Sequence, residues 1–136
     1  MKASRILISL TVILGFLNSC IPDNNDVTLE GSWSCEETSE IYMMGLKGTS
    51  IYPVYFAQDA EDVNTYYIDN FYQLGDGVNV KVKVSGVSLV LEKQTVDGIN
   101  FDGRGTIDTS FELINLSYTA DDGGGEIDHV EAVFSR

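Results

Sequence analysis

The chain has 136 residues, with 21 acidic against 8 basic side chains and a formal net charge of −13. Hydrophobic residues make up 43% and charged residues 21%, which is ordinary globular usage, argues against a wholly disordered chain and fits one domain. Because the chain is so acidic and has no stripe of Lys and Arg, it is a poor partner for nucleic acid or for anionic lipid headgroups.

The first residues have the layout of a secretory signal. Lys2 and Arg5 lie in a short segment without acids, and residues 6–17 are apolar except for Ser9 and Thr11. This run is shorter than the about 20 apolar residues that a membrane-spanning helix needs. We therefore predict a cleaved signal peptide over residues 1–19 rather than a spanning anchor.

Residues 17–20, Leu-Asn-Ser-Cys, resemble a bacterial lipobox, with an aliphatic residue three positions before the cysteine and a small residue directly before it. The resemblance implies that the thiol of Cys20 is alkylated with diacylglycerol and that Cys20 becomes the new N-terminus. Its acyl chains would then hold the protein on a membrane. The alternative is an ordinary secretory signal that happens to end in cysteine.

Residues 20–28 are predicted to form the lipidated cysteine and a flexible tether, because Pro22 and the neighbouring Asn and Asp residues favour turns. Asp23 and Asp26 loosely resemble the surface-export signals of lipoproteins from Gram-negative gut anaerobes. We expect the protein to be lipid-anchored in the cell envelope, on either the periplasmic or the surface face of the outer membrane.

The remainder of the chain has a hydrophobic period of two, which is typical of β-strands. The clearest case is residues 80–84, Val-Lys-Val-Lys-Val, whose valines should face a core and whose lysines should face solvent. Pro53 predicts an edge strand or a bulge, and Gly103 and Gly105 predict a strongly bent strand. In chain order, the predicted strands are Gly31–Glu40, Ser50–Ala57, Thr65–Tyr72, Val80–Val84, Ser88–Glu92, Phe101–Ser110, Phe111–Thr119 and Val130–Phe134.

Turn signals separate these runs, at residues 75–77, 85–86, 97–98 and 121–125, all rich in glycine with aspartate or serine. Residues 41–48 have room for a helical turn, although two glycines there argue against it. The spacing predicts an all-β fold, an antiparallel up-and-down meander of about eight short strands that forms a small barrel over residues 29–136. A two-layer β-sandwich is the alternative.

Gly31-Ser32-Trp33, after Leu29, resembles the Gly-X-Trp signature of the lipocalin and wider calycin group. The resemblance implies that Trp33 packs across the closed end of a barrel. Typical lipocalins are longer, and their later strand motifs have no clear match here. Further stretches resemble small lipocalin-like lipoproteins of Gram-negative gut anaerobes, which implies a fold and an envelope location but little chemistry: residues 68–75, 94–98, 101–107 and 116–119.

Aromatic residues on the predicted strands are candidates for an apolar ligand pocket with a few polar groups, which is how small ligands are usually held. The alternative is that these rings pack only with one another, so that the barrel interior is filled. The candidate ligand-binding residues are Trp33, Tyr55, Tyr67, Phe71 and Tyr118, from a wider aromatic set that includes Tyr52, Tyr66, Tyr72 and Phe101.

The candidate residues for catalysis or metal binding do not match the motifs and spacings that such sites require. His129, the one histidine, has no Gly-X-Ser-X-Gly nucleophile to serve, and Cys35 lies in a predicted strand without activating surroundings. A zinc site at these two residues lacks a recognisable spacing, and residues 121–128 fit a hairpin turn better than a calcium loop. Lipidation of Cys20 would also remove the one possible disulfide.

We therefore expect a non-catalytic protein without a cofactor or a metal. Its partners should be a membrane, through acyl chains on Cys20, and either a small apolar or amphipathic ligand or an envelope protein, with no nucleic acid. In the second case it would be a structural or protein-interaction module with a filled interior.

Overall fold

The computed structural model of the protein describes residues 28–41 and 48–136, in which eight antiparallel strands close into a barrel. Each strand pairs with the next one along the chain, and β1 pairs with β8. This confirms the predicted up-and-down barrel and excludes the sandwich. The strands are β1 (Gly31–Ser39), β2 (Gly48–Gln58), β3 (Thr65–Asp69), β4 (Asn79–Ser85), β5 (Ser88–Val96), β6 (Ile99–Ile107), β7 (Leu113–Asp121) and β8 (Ile127–Ser135).

Alternation along each strand places one set of side chains in the barrel and the other outside. In β4, Val80 and Val82 are fully buried whereas Lys81 and Lys83 are exposed, as the period of two predicted. Side chains from all eight strands fill the interior. One from each strand, in order, is Trp33, Phe56, Ile68, Val82, Leu91, Phe101, Leu116 and Phe134.

Several strand ends differ from the predicted ones for local backbone reasons. The third strand stops at Asp69, short of Tyr72, because Asn70 (φ 60°) and Tyr72 (φ 54°) adopt left-handed conformations that end a strand. A 3₁₀ turn, Phe71–Gln73, follows it. The seventh strand begins at Leu113 rather than at Phe111 because Phe111 also has a positive φ, of 57°. The predicted helical turn at 41–48 lies mostly outside the described residues.

The junction of β4 and β5 is the least regular part of the wall. Only three residue pairs join the two strands, and the register of β5 against β6 shifts between Leu91 and Gln94. Beyond these pairs, the side-chain amide of Gln94 makes hydrogen bonds to the β4 backbone that a neighbouring strand would otherwise make. Its Oε1 accepts a hydrogen bond from the Lys81 N–H (2.8 Å), and its Nε2 donates one to the Lys81 carbonyl (2.7 Å).

The barrel has two unlike ends. The upper end carries the β1–β2, β3–β4, β5–β6 and β7–β8 connections. The lower end carries the other three connections, residues 28–30 and Arg136. Among the described residues, no helix is long and apolar enough to cross a bilayer.

Candidate binding site at the upper end of the barrel

The β3–β4 connection folds into the upper end. Phe71 is only 1% exposed, and its ring centroid lies 5.3 Å from that of Phe101 and 4.8 Å from that of Tyr118. The Asn70 N–H donates to the Val78 carbonyl (3.1 Å), which closes the connection on itself. The β3–β4 connection is therefore a plug, and its Phe71 ring occupies the centre of the upper barrel.

A buried carboxylate, Asp128, holds the plug and the end of β1 together. Its Oδ2 accepts hydrogen bonds from the Ser39 hydroxyl (2.5 Å) and the Tyr72 phenol (2.7 Å). Its Oδ1 accepts from the backbone N–H groups of Glu40 (3.0 Å) and Ile41 (3.2 Å). Four donors satisfy this carboxylate, so its role at the mouth is to fix the shape of the surrounding segments.

A second acid, Glu37, lies inside the barrel and is 5% exposed. Its Oε2 accepts hydrogen bonds from the phenols of Tyr52 and Tyr118, both 2.5 Å. Burial raises the pKa of the Glu37 carboxyl, and the charge of Asp128 raises it further, while the two phenol bonds act in the opposite direction. Burial also raises the pKa of the Cys35 thiol to about 12, so this thiol stays protonated and is a poor nucleophile.

Above these groups the upper end opens into a cavity of about 400 Å³. The walls combine aliphatic side chains, one phenol and three carboxylates, contributed by the end of β1, the plug and strands β6 to β8. We call it the mouth cavity. Its lining residues are Ile41, Tyr72, Ile99, Ala120, Asp122, Gly124, Glu126 and Asp128. Such a mixture can hold an apolar body and a polar or cationic head together.

The lower end is covered. The indole Nε1 of Trp33 donates to the Leu29 carbonyl (2.7 Å), and the Arg136 guanidinium lies 4.4 Å from the centroid of the Trp33 ring. Arg136 also donates to the carbonyls of Thr28 (2.8 Å) and Phe111 (3.0 Å). A further cavity of about 440 Å³ lies beside these residues, between the β2–β3 and β4–β5 connections.

The structure separates the five predicted ligand-binding residues into three groups. Phe71 and Tyr118 contact each other beneath the mouth cavity, and Trp33 is buried at the lower end. Tyr55 is 44% exposed on the outer wall. Tyr67 also points outward, where its phenol donates to Asp59 (3.0 Å), so neither outer tyrosine faces the cavity. Cys20, the predicted lipid attachment site, lies outside the described residues.

The remaining candidate groups do not converge. His129 is exposed on the outer face of β8, whereas Cys35 points into the core from β1. Residues 122–126 form the connection between β7 and β8, which is the hairpin turn expected for this acidic segment. Across residues 28–41 and 48–136, no group of three or more His, Cys, Asp and Glu side chains is arranged to hold a metal ion.

Sequence reasoning missed the two buried acids. Glu37 could have been found, because it is in phase with Trp33 and Cys35 on a strand whose alternate residues face the core. Asp128 is likewise in phase with the inward Val130. Their phenol partners come from strands and connections distant in the chain, so no local signal identifies these bonds.

The comparisons with known proteins concern the fold alone. No protein-family model and no curated protein matches the chain. A Bacteroides ovatus crystal structure from structural genomics, of unknown function, has a TM-score of 0.55 at 11% identity. The match covers 78% of this chain and 41% of that one, so the chain spans less than half of its neighbour. The structure of Rv2717c from M. tuberculosis has a TM-score of 0.40 at 16% identity, covering 79% and 92%. The chain therefore shares a β fold with a Bacteroides protein of unknown function.

Proposed function

We propose that the protein is a lipid-anchored, lipocalin-like lipoprotein of the cell envelope that binds a small amphipathic molecule at the mouth cavity without chemical conversion. The observation that carries this proposal is the combination of about 400 Å³ of space with apolar and acidic walls at one end of a closed barrel. This volume lies within the range of about 300–1,000 Å³ typical of small-molecule sites.

The filled interior supports a site at the mouth rather than deep in the barrel. Phe71, Phe101 and Tyr118 occupy the space above Glu37 with their rings in mutual contact. The ligand's apolar part would contact Ile99 and Ala120. Its head would lie near Asp122 and Glu126, which favour a cationic or neutral group over an anion.

The proposed anchor would direct the mouth away from the membrane. Residue 28 lies at the lower end, opposite the mouth cavity. A tether over residues 20–28 would span at most roughly 30 Å when fully extended. Acyl chains on Cys20 would thus hold the lower end near the bilayer and leave the mouth open to solutes.

Binding is tested on the mature chain with the neutral fluorescent probe N-phenyl-1-naphthylamine. We expect the probe to bind, and a dodecyltrimethylammonium ion to displace it at a concentration at least about 10-fold lower than dodecyl sulfate. Ile99→Ser should weaken probe binding by about 5-fold or more, whereas the matched outer-wall variant Leu113→Ser should not. Absence of binding, or equal loss in both variants, would refute the mouth site.

Lipidation is tested separately. In a producing cell the Cys20→Ala chain should no longer incorporate labelled palmitate and should leave the membrane fraction, while Cys35→Ser should remain labelled. Continued labelling of Cys20→Ala would contradict the anchor and would leave the binding proposal untouched.

A second candidate, a protein-interaction module, has one specific observation in its favour. The outer surface of β2 carries apolar side chains where the other strands carry mostly polar ones.

A further inference from the structure

Strand β2 is apolar on both faces. Residues 51–57 read Ile-Tyr-Pro-Val-Tyr-Phe-Ala, without a polar side chain except the tyrosine hydroxyls. Tyr52, Val54 and Phe56 are buried in the barrel. The intervening residues form an outward row that we call the β2 outer row: Ile51, Pro53, Tyr55 and Ala57.

This row is accessible. Ile51 is 71% exposed and Tyr55 is 44% exposed. The residues opposite Pro53 and Tyr55 on β1 are Ser34 and Ser32. Their side chains are too short to cover the apolar side chains of the row. The pattern differs from β4 or β7, whose outward positions are filled by residues such as lysine, asparagine and serine, as expected for a sheet face in water. Neighbouring exposed apolar side chains on a sheet face that is otherwise polar make this row a candidate interaction site.

The border of the row is acidic. Glu36 lies opposite Ile51, and Asp69 lies opposite Tyr55. At the lower end of the row, Tyr67 faces Ala57 and donates to Asp59. Of the Lys and Arg residues in the described ranges, Lys81 on β4 lies opposite Tyr67, near the lower end of the row. The others lie on strands β4 to β6 and at the C-terminus: Lys83, Lys93, Arg104 and Arg136.

We propose that the β2 outer row docks a protein partner whose contact surface is apolar at its centre and bordered by Lys or Arg side chains. Exposed tyrosine is favoured at the centre of protein interfaces because it buries much area at little entropic cost. The border of Glu36 and Asp69 complements basic side chains and repels acidic ones.

Two other occupants fit less well. A second copy would bring the same acidic border against itself, on chains with a formal charge of −13 each. An added β-strand would meet Pro53, which has no N–H to donate. Docking therefore uses the side chains of the row rather than backbone pairing. This proposal is independent of the mouth cavity, because none of the four row residues lines it.

The test uses the full-length chain in a cell that naturally produces it, with the photoreactive residue benzoylphenylalanine at position 55. A matched chain carries it at position 115, which is exposed on β7. We expect a protein adduct at position 55 at least about 10-fold stronger than at position 115. Ile51→Ser should reduce this adduct by about 5-fold or more, and Val87→Ser, which changes a side chain 49% exposed in the β4–β5 connection, should not.

The partner identified by its cross-linked peptide is then purified and its affinity measured. Glu36→Gln should weaken binding about 3-fold or more and reduce its dependence on salt. The proposal is overturned if position 55 gives no adduct above that of position 115, or if the adduct is a lipid or a second copy of this chain. It is equally overturned if Ile51→Ser has no effect or if the partner's contact surface is acidic.

Discussion

The phenol of Tyr72 donates a 2.7 Å hydrogen bond to the carboxylate of Asp128, and this bond joins the β3–β4 connection to β8 across the barrel mouth. The same carboxylate holds the Ser39 hydroxyl and two backbone N–H groups after β1. One buried acid thus fixes three segments of the upper end. The shape of the mouth cavity depends on it.

Tyr72→Phe removes this bond without changing the ring. We expect the free energy of unfolding to fall by about 1–2 kcal/mol, because the bond is to a buried carboxylate that keeps its other three donors. Urea denaturation followed by Trp33 fluorescence measures it. Tyr67→Phe, which removes a bond to Asp59 on the outer surface of the barrel, is the control and should cost less. If both variants lost the same free energy of unfolding, the bond to Asp128 would contribute no more to stability than the bond to Asp59.

Gln73→Gly should stabilise the protein. Gln73 has a φ of 58° and an exposed side chain, so glycine relieves left-handed strain of about 1 kcal/mol and loses little packing. Asn70→Gly is the matched comparison at a φ of 60°. It should destabilise, because Asn70 donates to the Pro53 carbonyl (2.8 Å) and accepts from the Gly75 N–H (3.0 Å). A change in the free energy of unfolding with the same sign in both variants would contradict this prediction.

The buried Glu37 should make stability depend on pH. Its pKa is raised in the folded protein above an ordinary value of 4.5, so the folded state holds this proton more tightly than the unfolded state. The resulting stabilisation is complete below pH 4.5 and is lost as the pH rises through the folded pKa. Glu37→Gln removes this loss, so its stability relative to wild type should increase towards about pH 7.

Urea titrations at several pH values measure this difference. Thr106→Ala changes an exposed side chain that does not titrate and is the control, with a pH profile parallel to that of wild type. A constant difference between Glu37→Gln and wild type across the range would count against a raised pKa at Glu37.

Gly103 should not tolerate a larger residue. A Cβ at this position would overlap the Cβ of Tyr118 and lie 2.6 Å from the Ser117 carbonyl oxygen, since β6 and β7 approach closely there. We expect Gly103→Ala to cost about 3 kcal/mol or more. Thr106→Ala, exposed on the same strand, should change stability by about 0.5 kcal/mol or less. Comparable midpoint temperatures of thermal unfolding for Gly103→Ala and Thr106→Ala would disprove the predicted steric clash.

Much of the fold could be predicted from the sequence because strand alternation is a local property. Val80 to Val84 shows its buried and exposed faces without reference to any other strand, and the Asp97-Gly98 turn forms a tight hairpin in which both residues have positive φ. Strand ends were less accurate, because left-handed residues such as Tyr72 and Phe111 carry no composition signal.

Sequence alone therefore determined that this chain makes short antiparallel strands and which faces of the most regular ones are apolar. Only the tertiary structure decided which aromatic rings meet and where the acids lie. Ser39 and Tyr72 reach Asp128 from 89 and 56 residues away. Closure of β1 against β8 brings Ser39 to this carboxylate, and the inward fold of the β3–β4 connection brings Tyr72. Alternation sets the side of the wall on which a residue lies, whereas the register of distant strands sets its neighbours.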